Sequence, residues 1–221
     1  MDHIALIVEG EKTMRNSKLF ACLSAAPLLA LLAAPSYGVD VRPTFKAGVD
    51  VGGDTLISVP VSGSSLGDTK KIKAGEGLFL GGGASILSDE KDLELELTLN
   101  YKFSGITAQN GDINWSVLPL DALVFYRIPN WRFGGGLTYH INPSLKGSGV
   151  AGGLNANYKN ALGIVLQGDY MFGEKIKLGL RFVGVKYKAS SISSSSGLLV
   201  SEPPPADAKT SALGVVFTVS F

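Results

Sequence analysis

From Leu93 to Phe103 the chain alternates without a fault. Leu93, Leu95, Leu97, Leu99, Tyr101 and Phe103 are apolar, and Glu94, Glu96, Thr98, Asn100 and Lys102 between them are polar. A period of two is the signature of a β-strand, because successive side chains leave opposite faces of a sheet. The same pattern predicts seven further strands, at Val39–Leu56, Gly77–Leu87, Ile113–Arg127, Trp131–Ile141, Ala161–Phe172, Ile176–Lys188 and Thr210–Phe221. No convincing amphipathic helix appears.

The connections alternate too. Ser88–Lys91, Ile128–Asn130 and Gly173–Lys175 are tight turns. Ser62–Glu76, Asn142–Asn160 and Ser190–Lys209 are long and rich in Gly, Ser or Asn, and Ser104–Asp112 is intermediate. Tight turns gather at one end and long loops at the other. This is the arrangement of an all-β, eight-stranded antiparallel up-and-down barrel. In such a barrel the last strand pairs with the first, so neither leaves an open edge.

Alternation alone does not say which face is inside. A soluble barrel or sandwich buries the apolar face, whereas a transmembrane barrel turns it toward lipid. Three observations favour the second. First, parity then sends Arg42, Lys46, Lys102, Arg127, Arg132, Lys177 and Arg181 inward together with Asp50, Glu94, Glu96, Asp121 and Asp169: seven basic and five acidic groups. Charges confined in a narrow barrel must pair, because an unpaired buried charge is expensive. Second, aromatics sort by strand end. Tyr126, Trp131, Phe133, Tyr170, Phe172 and Phe221 fall near the tight turns, and Tyr101, Phe103, Trp115 and Tyr139 near the long loops with outward parity. Two aromatic girdles around an aliphatic band suit two membrane interfaces. Third, strands of about 11 residues match a tilted bilayer crossing.

Two strands need adjustment under this reading. In Ile113–Arg127 the apolar parity is odd through Val117 and even from Leu118, which predicts a bulge near Val117–Leu118, beside Pro119. The strand Ile176–Lys188 slips in the same way after Phe182. The outer end of the first strand is blurred by Gly52-Gly53.

The 221 residues, 45% apolar, suffice for one domain, and a formal charge of +1 points to no nucleic-acid partner. The N-terminus has the features of a secretory signal peptide. Arg15 and Lys18 precede the apolar run Leu19–Ala34, and Ser36 and Gly38 stand at the minus-three and minus-one positions of a cleavage site after Gly38. The run is shorter than the ~20 residues of a spanning helix and contains Pro27. Residues 1–38 are therefore expected to be a leader, with Met14 as an alternative start, and residues 39–221 the barrel. The single cysteine, Cys22, lies in the leader. As a lipoprotein site it is disfavoured by bulky Phe20 and the lack of a preceding apolar stretch.

Candidate chemistry is sparse. The mature chain has one histidine, His140, with Asn142 and Ser144 following; a wall or rim histidine explains it better than a catalytic one, and without cysteine it offers no metal-ligand cluster. Neither a cofactor nor a metal is implied. Gly81-Gly82-Gly83 and Gly134-Gly135-Gly136 lie inside strands and lack the Gly-Lys-Ser/Thr of a phosphate loop; they ease curvature and make room for large interior side chains. Asn114-Trp115-Ser116 fits a glycosylation sequon but lies in a strand. Lys70, Lys71 and Lys73 form a basic cluster in the first long loop, either a solvated loop or a contact for anionic lipopolysaccharide.

Leader, eight alternating strands, short turns at one end and a terminal Phe together resemble the small Gram-negative outer-membrane β-barrels of the OmpA/OmpX/OmpW general type, with no subfamily motif to narrow it. The last strand is similar to the C-terminal signal read by the barrel-assembly machinery, carried here by Gly214, Phe217, Val219 and Phe221. The resemblance implies an outer-membrane location, outer-membrane lipids including lipopolysaccharide as neighbours, and no single activity. It leaves the surface ligand unnamed. Three functions are carried forward: a structural or surface-interaction barrel with an ion-paired interior and long extracellular loops; a narrow porin-like channel or small-molecule conduit; and, third, a lipid-modifying enzyme, although the His-x-Ser arrangement of the outer-membrane deacylases is absent. The expectation is a protein that is not an enzyme.

Overall fold

The computed structural model describes residues 40–60, 69–108, 111–193 and 203–221. The expected leader, residues 1–38 with the alternative start at Met14, lies outside them, as does Val39. The strands are β1 (Asp40–Gly52), β2 (Thr55–Pro60), β3 (Thr69–Lys73), β4 (Gly77–Leu87), β5 (Leu93–Ala108), β6 (Gly111–Ile128), β7 (Trp131–Gly147), β8 (Asn155–Tyr158), β9 (Ala161–Phe172), β10 (Ile176–Ser193) and β11 (Asp207–Ser220).

Neighbours in sequence are neighbours in the wall, all antiparallel, in the order β1, β4, β5, β6, β7, β8/β9, β10, β11. β8 and β9 form one wall strand interrupted at Lys159-Asn160, and both pair with β7 and β10. β11 closes the ring on β1, with Phe45 opposite Val219 and Asp50 opposite Gly214. The seam continues to Phe221, whose N–H donates to the Pro43 carbonyl at 2.9 Å. The eight-stranded up-and-down barrel expected from the alternation is the fold of the chain.

Each tight turn hinges on one residue of positive φ, a conformation that suits glycine and asparagine but not lysine. Lys91 (57°), Asn130 (66°) and Gly173 (73°) each supply one left-handed residue, and the Ser88 hydroxyl donates to Asp92 Oδ1 at 2.8 Å. At the opposite end β1 leaves the wall at Gly52-Gly53, both with positive φ, and runs into a separate hairpin of β2 and β3.

The strands reach further than the sequence reading allows. The Ser104–Asp112 connection is largely strand, since β5 runs to Ala108 and β6 starts at Gly111. β7 runs to Gly147 into the expected Asn142–Asn160 loop, which also holds a short 3₁₀ turn and β8. β6 has 18 residues. At ~3.3 Å per residue it is about 60 Å long, well beyond what an apolar band ~25 Å tall needs even when tilted.

That extra length explains the parity faults. In β6 the odd residues stay inside throughout: Ile113, Trp115, Val117, Asp121, Leu123 and Phe125 are all buried, while Leu120, Val124 and Tyr126 are exposed. A register shift does fall between Ser116 and Leu118, but there Asn142 and Pro143 of β7 oppose the single residue Val117. The bulge belongs to β7, where Asn142 takes φ 50° and inward parity passes from His140 to Leu145. β10 has no slip: Lys177, Arg181, Val183, Val185 and Tyr187 are all buried, in unbroken register with β11. The polarity of the barrel inverts instead. Along the lower part the outside is apolar and the inside charged. Above Leu118 and Phe182 the outside becomes Ser116, Asn114, Lys186 and Lys188, and the inside becomes apolar.

Trp115 is the clearest correction. Expected in the outer aromatic girdle, it is fully buried inside the barrel. Tyr101, Phe103 and Tyr139 do face outward there, and Tyr126, Trp131, Phe133, Tyr170, Phe172 and Phe221 face outward near the tight turns.

Candidate functional site

Among the described residues the lumen gathers most of the buried polar and charged side chains, and it has three storeys. At the tight-turn rim, Arg42 Nη2 reaches Asp40 at 2.6 Å and Glu174 at 2.8 Å, with Lys91 3.6 Å from Glu174. The paired guanidinium holds the Asp40 and Glu174 carboxyls below their ordinary values. Just inside, Thr44 is 3.1 Å from both the Ser85 and Ser220 hydroxyls, a belt of small hydroxyls across β4, β1 and β11.

The middle storey is charged. Arg132 on β7 is fully buried and reaches three carboxylates: Glu94 at 2.7 Å, Glu96 at 2.8 Å and Asp169 at 2.6 Å. Its guanidinium also lies 3.9 Å from the centre of the Phe125 ring. A planar cation with five donors suits such a hub better than an ammonium does. Lys46 pairs with Glu96, and Lys177 bridges Glu94 at 2.8 Å and the Ser220 hydroxyl at 3.0 Å. Gln167 Nε2 donates to Asp169 at 2.9 Å. A second group lies above. Lys102 reaches Asp50 at 2.8 Å; Arg181 lies 3.7 Å from Asp50 and 3.6 Å from Asp121; and Asn100 donates to Asp121 at 3.2 Å.

The structure thus places the twelve sequence-derived interior charges in two groups. Lys46, Lys102, Arg132, Lys177 and Arg181 are buried with Asp50, Glu94, Glu96, Asp121 and Asp169, five against five, so this storey is electrically neutral. Arg42 and Arg127 sit at the rim, partly exposed, with Arg127 3.7 Å from Glu94. Glycine makes the room. A Cβ on Gly179 would collide with Asp169, and one on Gly214 with Asp50. Gly214, named above for the assembly signal, therefore also has a packing role; Val219 is half-buried at the seam, and Phe217 and Phe221 project outward.

The upper storey is apolar. Trp115, Tyr158 and Tyr187 meet edge-on or tilted at 5.7 to 6.0 Å between ring centres, with Ile113, Leu145, Leu154, Val183 and Val185 around them. Leu56, Ile57 and Ile72 of the β2–β3 hairpin belong to the same core. The hairpin is thus packed onto the plug, and its Lys70 and Lys71 are exposed. Burial alone pushes the Tyr158 hydroxyl up to about 12. The sequence reading missed this plug. Its signal was the pair of parity faults in β6 and β10, which fall at the same height.

His140 lies at the boundary between storeys, 1% exposed, with Nδ1 on the Tyr187 hydroxyl. Ser144, beyond the bulge, has its hydroxyl 3.5 Å from that of Ser116, and Asn142 is exposed with its N–H on Asn160 Oδ1. The fold does not bring His140, Asn142 and Ser144 together.

No protein-family model and no curated protein sequence matches the chain. Among solved structures it is similar to Neisserial surface protein A, at 14% identity over 85% of this chain and 100% of that one, with a TM-score of 0.43. An outer membrane channel from Pseudomonas putida F1 aligns at 10% identity over 86% of this chain and 100% of that one, with a TM-score of 0.26.

Proposed function

We propose that this chain is an integral barrel of the Gram-negative outer membrane with a structural or surface-interaction role. It carries a closed lumen and presents its long end to the outside. One observation carries the reading: the neutral ion-pair storey is roofed by the aromatic plug of Trp115, Tyr158 and Tyr187, and its ten charges are buried against one another. An eight-stranded wall has an interior just wide enough for side chains to fill, and here they fill it. The membrane placement rests on the outer face. Phe45, Val49, Leu80, Leu95, Val124, Leu137, Leu166, Leu180 and Val215 are exposed in a continuous belt that water would penalise and hydrocarbon would not.

Under this reading the tight turns face the periplasm, and Gly214, Phe217, Val219 and Phe221 form the address read by the barrel-assembly machinery. Lipopolysaccharide is then the neighbour of the outer end, with Lys70, Lys71 and Lys73 on the projecting hairpin in reach of its phosphates. The decisive test is single-channel recording of the purified, refolded chain in planar bilayers. The expected outcome is no conductance steps, in the parent and in Arg132→Ala alike. Regular steps in the parent protein would overturn the closed-lumen reading and favour the narrow conduit.

A further inference from the structure

Just above the apolar belt, the outer face of β10 and β11 carries a directly opposed pair of like charges. Lys186 stands directly opposite Lys209 in the ladder, and both are exposed. Directly opposed like charges on one face destabilise a sheet. Lys188, two positions higher, is exposed and stands opposite Asp207; exposed Lys159 donates its backbone N–H to the Lys188 carbonyl. Asp54 lies nearby, with its carboxylate accepting the Lys209 backbone N–H at 2.8 Å. Among the described residues no salt bridge involves Lys159, Lys186, Lys188 or Lys209.

Below this pair the wall is grooved. Gly168 faces outward between Phe133 on β7 and Leu180 on β10, its direct ladder partners. With no side chain there, a groove of about 390 Å³ opens, lined chiefly by Phe133, Leu166, Leu180, Phe182 and Leu213. Phe182 and Leu213 are themselves opposed across β10 and β11. The next outward pair up is Gly184 with Ser211, both small, and then come Lys186 and Lys209. An apolar trough therefore leads past a low sill to two ammonium groups, about 13 Å along the strand from the Phe182–Leu213 pair.

We propose that this face is a lipid-binding site for a phosphomonoester-bearing glycolipid of the outer leaflet. An acyl chain lies in the Gly168 groove and the phosphate bridges Lys186 and Lys209. The inference rests on the outer-membrane reading and deepens it. With Asp54 and Asp207 flanking the two lysines, the pair favours the headgroup that carries the most negative charge on one phosphate. A phosphomonoester carries about −1.5 to −2 at neutral pH, whereas the phosphodiester of a glycerophospholipid carries one charge.

The test is native mass spectrometry of the full, refolded chain in detergent. It would be titrated with diphosphoryl lipid A and, separately, with phosphatidylglycerol. The parent protein is expected to retain lipid A at roughly tenfold lower concentration than phosphatidylglycerol, equivalent to ~1.4 kcal/mol. The double variant Lys186→Gln/Lys209→Gln should lose that preference. Gly168→Leu fills the groove, where an added Cβ meets only the Phe133 ring; it should weaken lipid A retention while the lysines remain. Equal retention of the two lipids by the parent, or an unchanged preference in the lysine variant, would overturn the site. Heat-modifiable migration in gels is scored first on every variant. A parent chain that never forms a detergent-stable folded species sinks the membrane reading and the site with it; a folded barrel without preference sinks the site alone.

Discussion

Trp115 of β6 and Tyr187 of β10 meet edge-on inside the barrel, 5.7 Å between ring centres and both fully buried. Strand periodicity with an apolar exterior would send Trp115 outward; the fold keeps it inward because the apolar exterior ends below it. Trp131, the other tryptophan, faces outward at the opposite end, stacked on Phe133 at 5.8 Å.

The two indoles should therefore report different solvents. In vesicles of brominated lipid, Trp115→Phe leaves Trp131 as the emitter, and strong quenching is expected. Trp131→Phe leaves Trp115, which should be nearly unquenched. Equal quenching of both would place Trp115 back in the outer girdle. Trp115→Ala should also lower stability by about 3–5 kcal/mol through the cavity it opens, read as a shift in urea unfolding in micelles.

Arg132 is the hub of the charged storey. Arg132→Ala leaves Glu94, Glu96 and Asp169 facing one another, answered by Lys46, Lys177 and, from the rim, Arg127. Removing one partner of a buried network costs about 3–5 kcal/mol. Arg132→Lys keeps the charge but cannot reach three carboxylates at once, so it should fall between the parent and the alanine variant. Equilibrium unfolding of the three proteins gives the order.

The height of the belt is testable by charge insertion. Val124→Arg and Leu180→Arg place a cation against hydrocarbon, at about 2–4 kcal/mol near the bilayer midplane. Asn114→Arg and Ser144→Arg lie on the same outward face but above the polarity inversion, and should be nearly neutral. Folding yield into vesicles at fixed urea compares them. Similar losses at all four positions would show that the hydrocarbon extends over the whole strand.

The rim ion pairs predict an acid dependence. Arg42 holds the Asp40 and Glu174 carboxyls below their ordinary values. Groups whose folded pKa is lowered stabilise the fold fully above the unfolded pKa and lose that contribution as pH falls through the folded one. Stability should therefore drop as pH goes from about 5 toward 3, by less than ~1 kcal/mol because the rim is solvated. Arg42→Ala should flatten that part of the profile.

In the last strand, packing and the proposed assembly signal can be tested separately at Gly214 and Phe221. Gly214→Leu forces a side chain into the Asp50 carboxylate and should destabilise the purified barrel itself. Deleting Phe221 removes an exposed ring at the seam; it should leave the refolded barrel's unfolding midpoint almost unchanged while lowering outer-membrane yield in cells. Unchanged yield would remove the assembly role from Phe221.

Most of the architecture was legible in the chain, because a strand writes its two faces as a period of two. Eight alternating segments, tight turns marked by Asn130 and Gly173, and the inward parity of Glu94, Glu96 and Arg132 needed no neighbours to be read. How those charges pair was not legible, since Arg132 meets Glu94, Glu96 and Asp169 only once β5, β7 and β9 curve around a shared axis. Nor was the inversion of polarity. Within a single strand, Ile113-Asn114-Trp115-Ser116-Val117 is indistinguishable from a segment that has slipped by one residue, because a slip and a change of surrounding solvent exchange the two faces alike. Only the register of β6 against β5, and of β10 against β11, separates the two. It shows the backbone running on without a slip while the outside changes from apolar to polar and the inside from charge to a packed aromatic core.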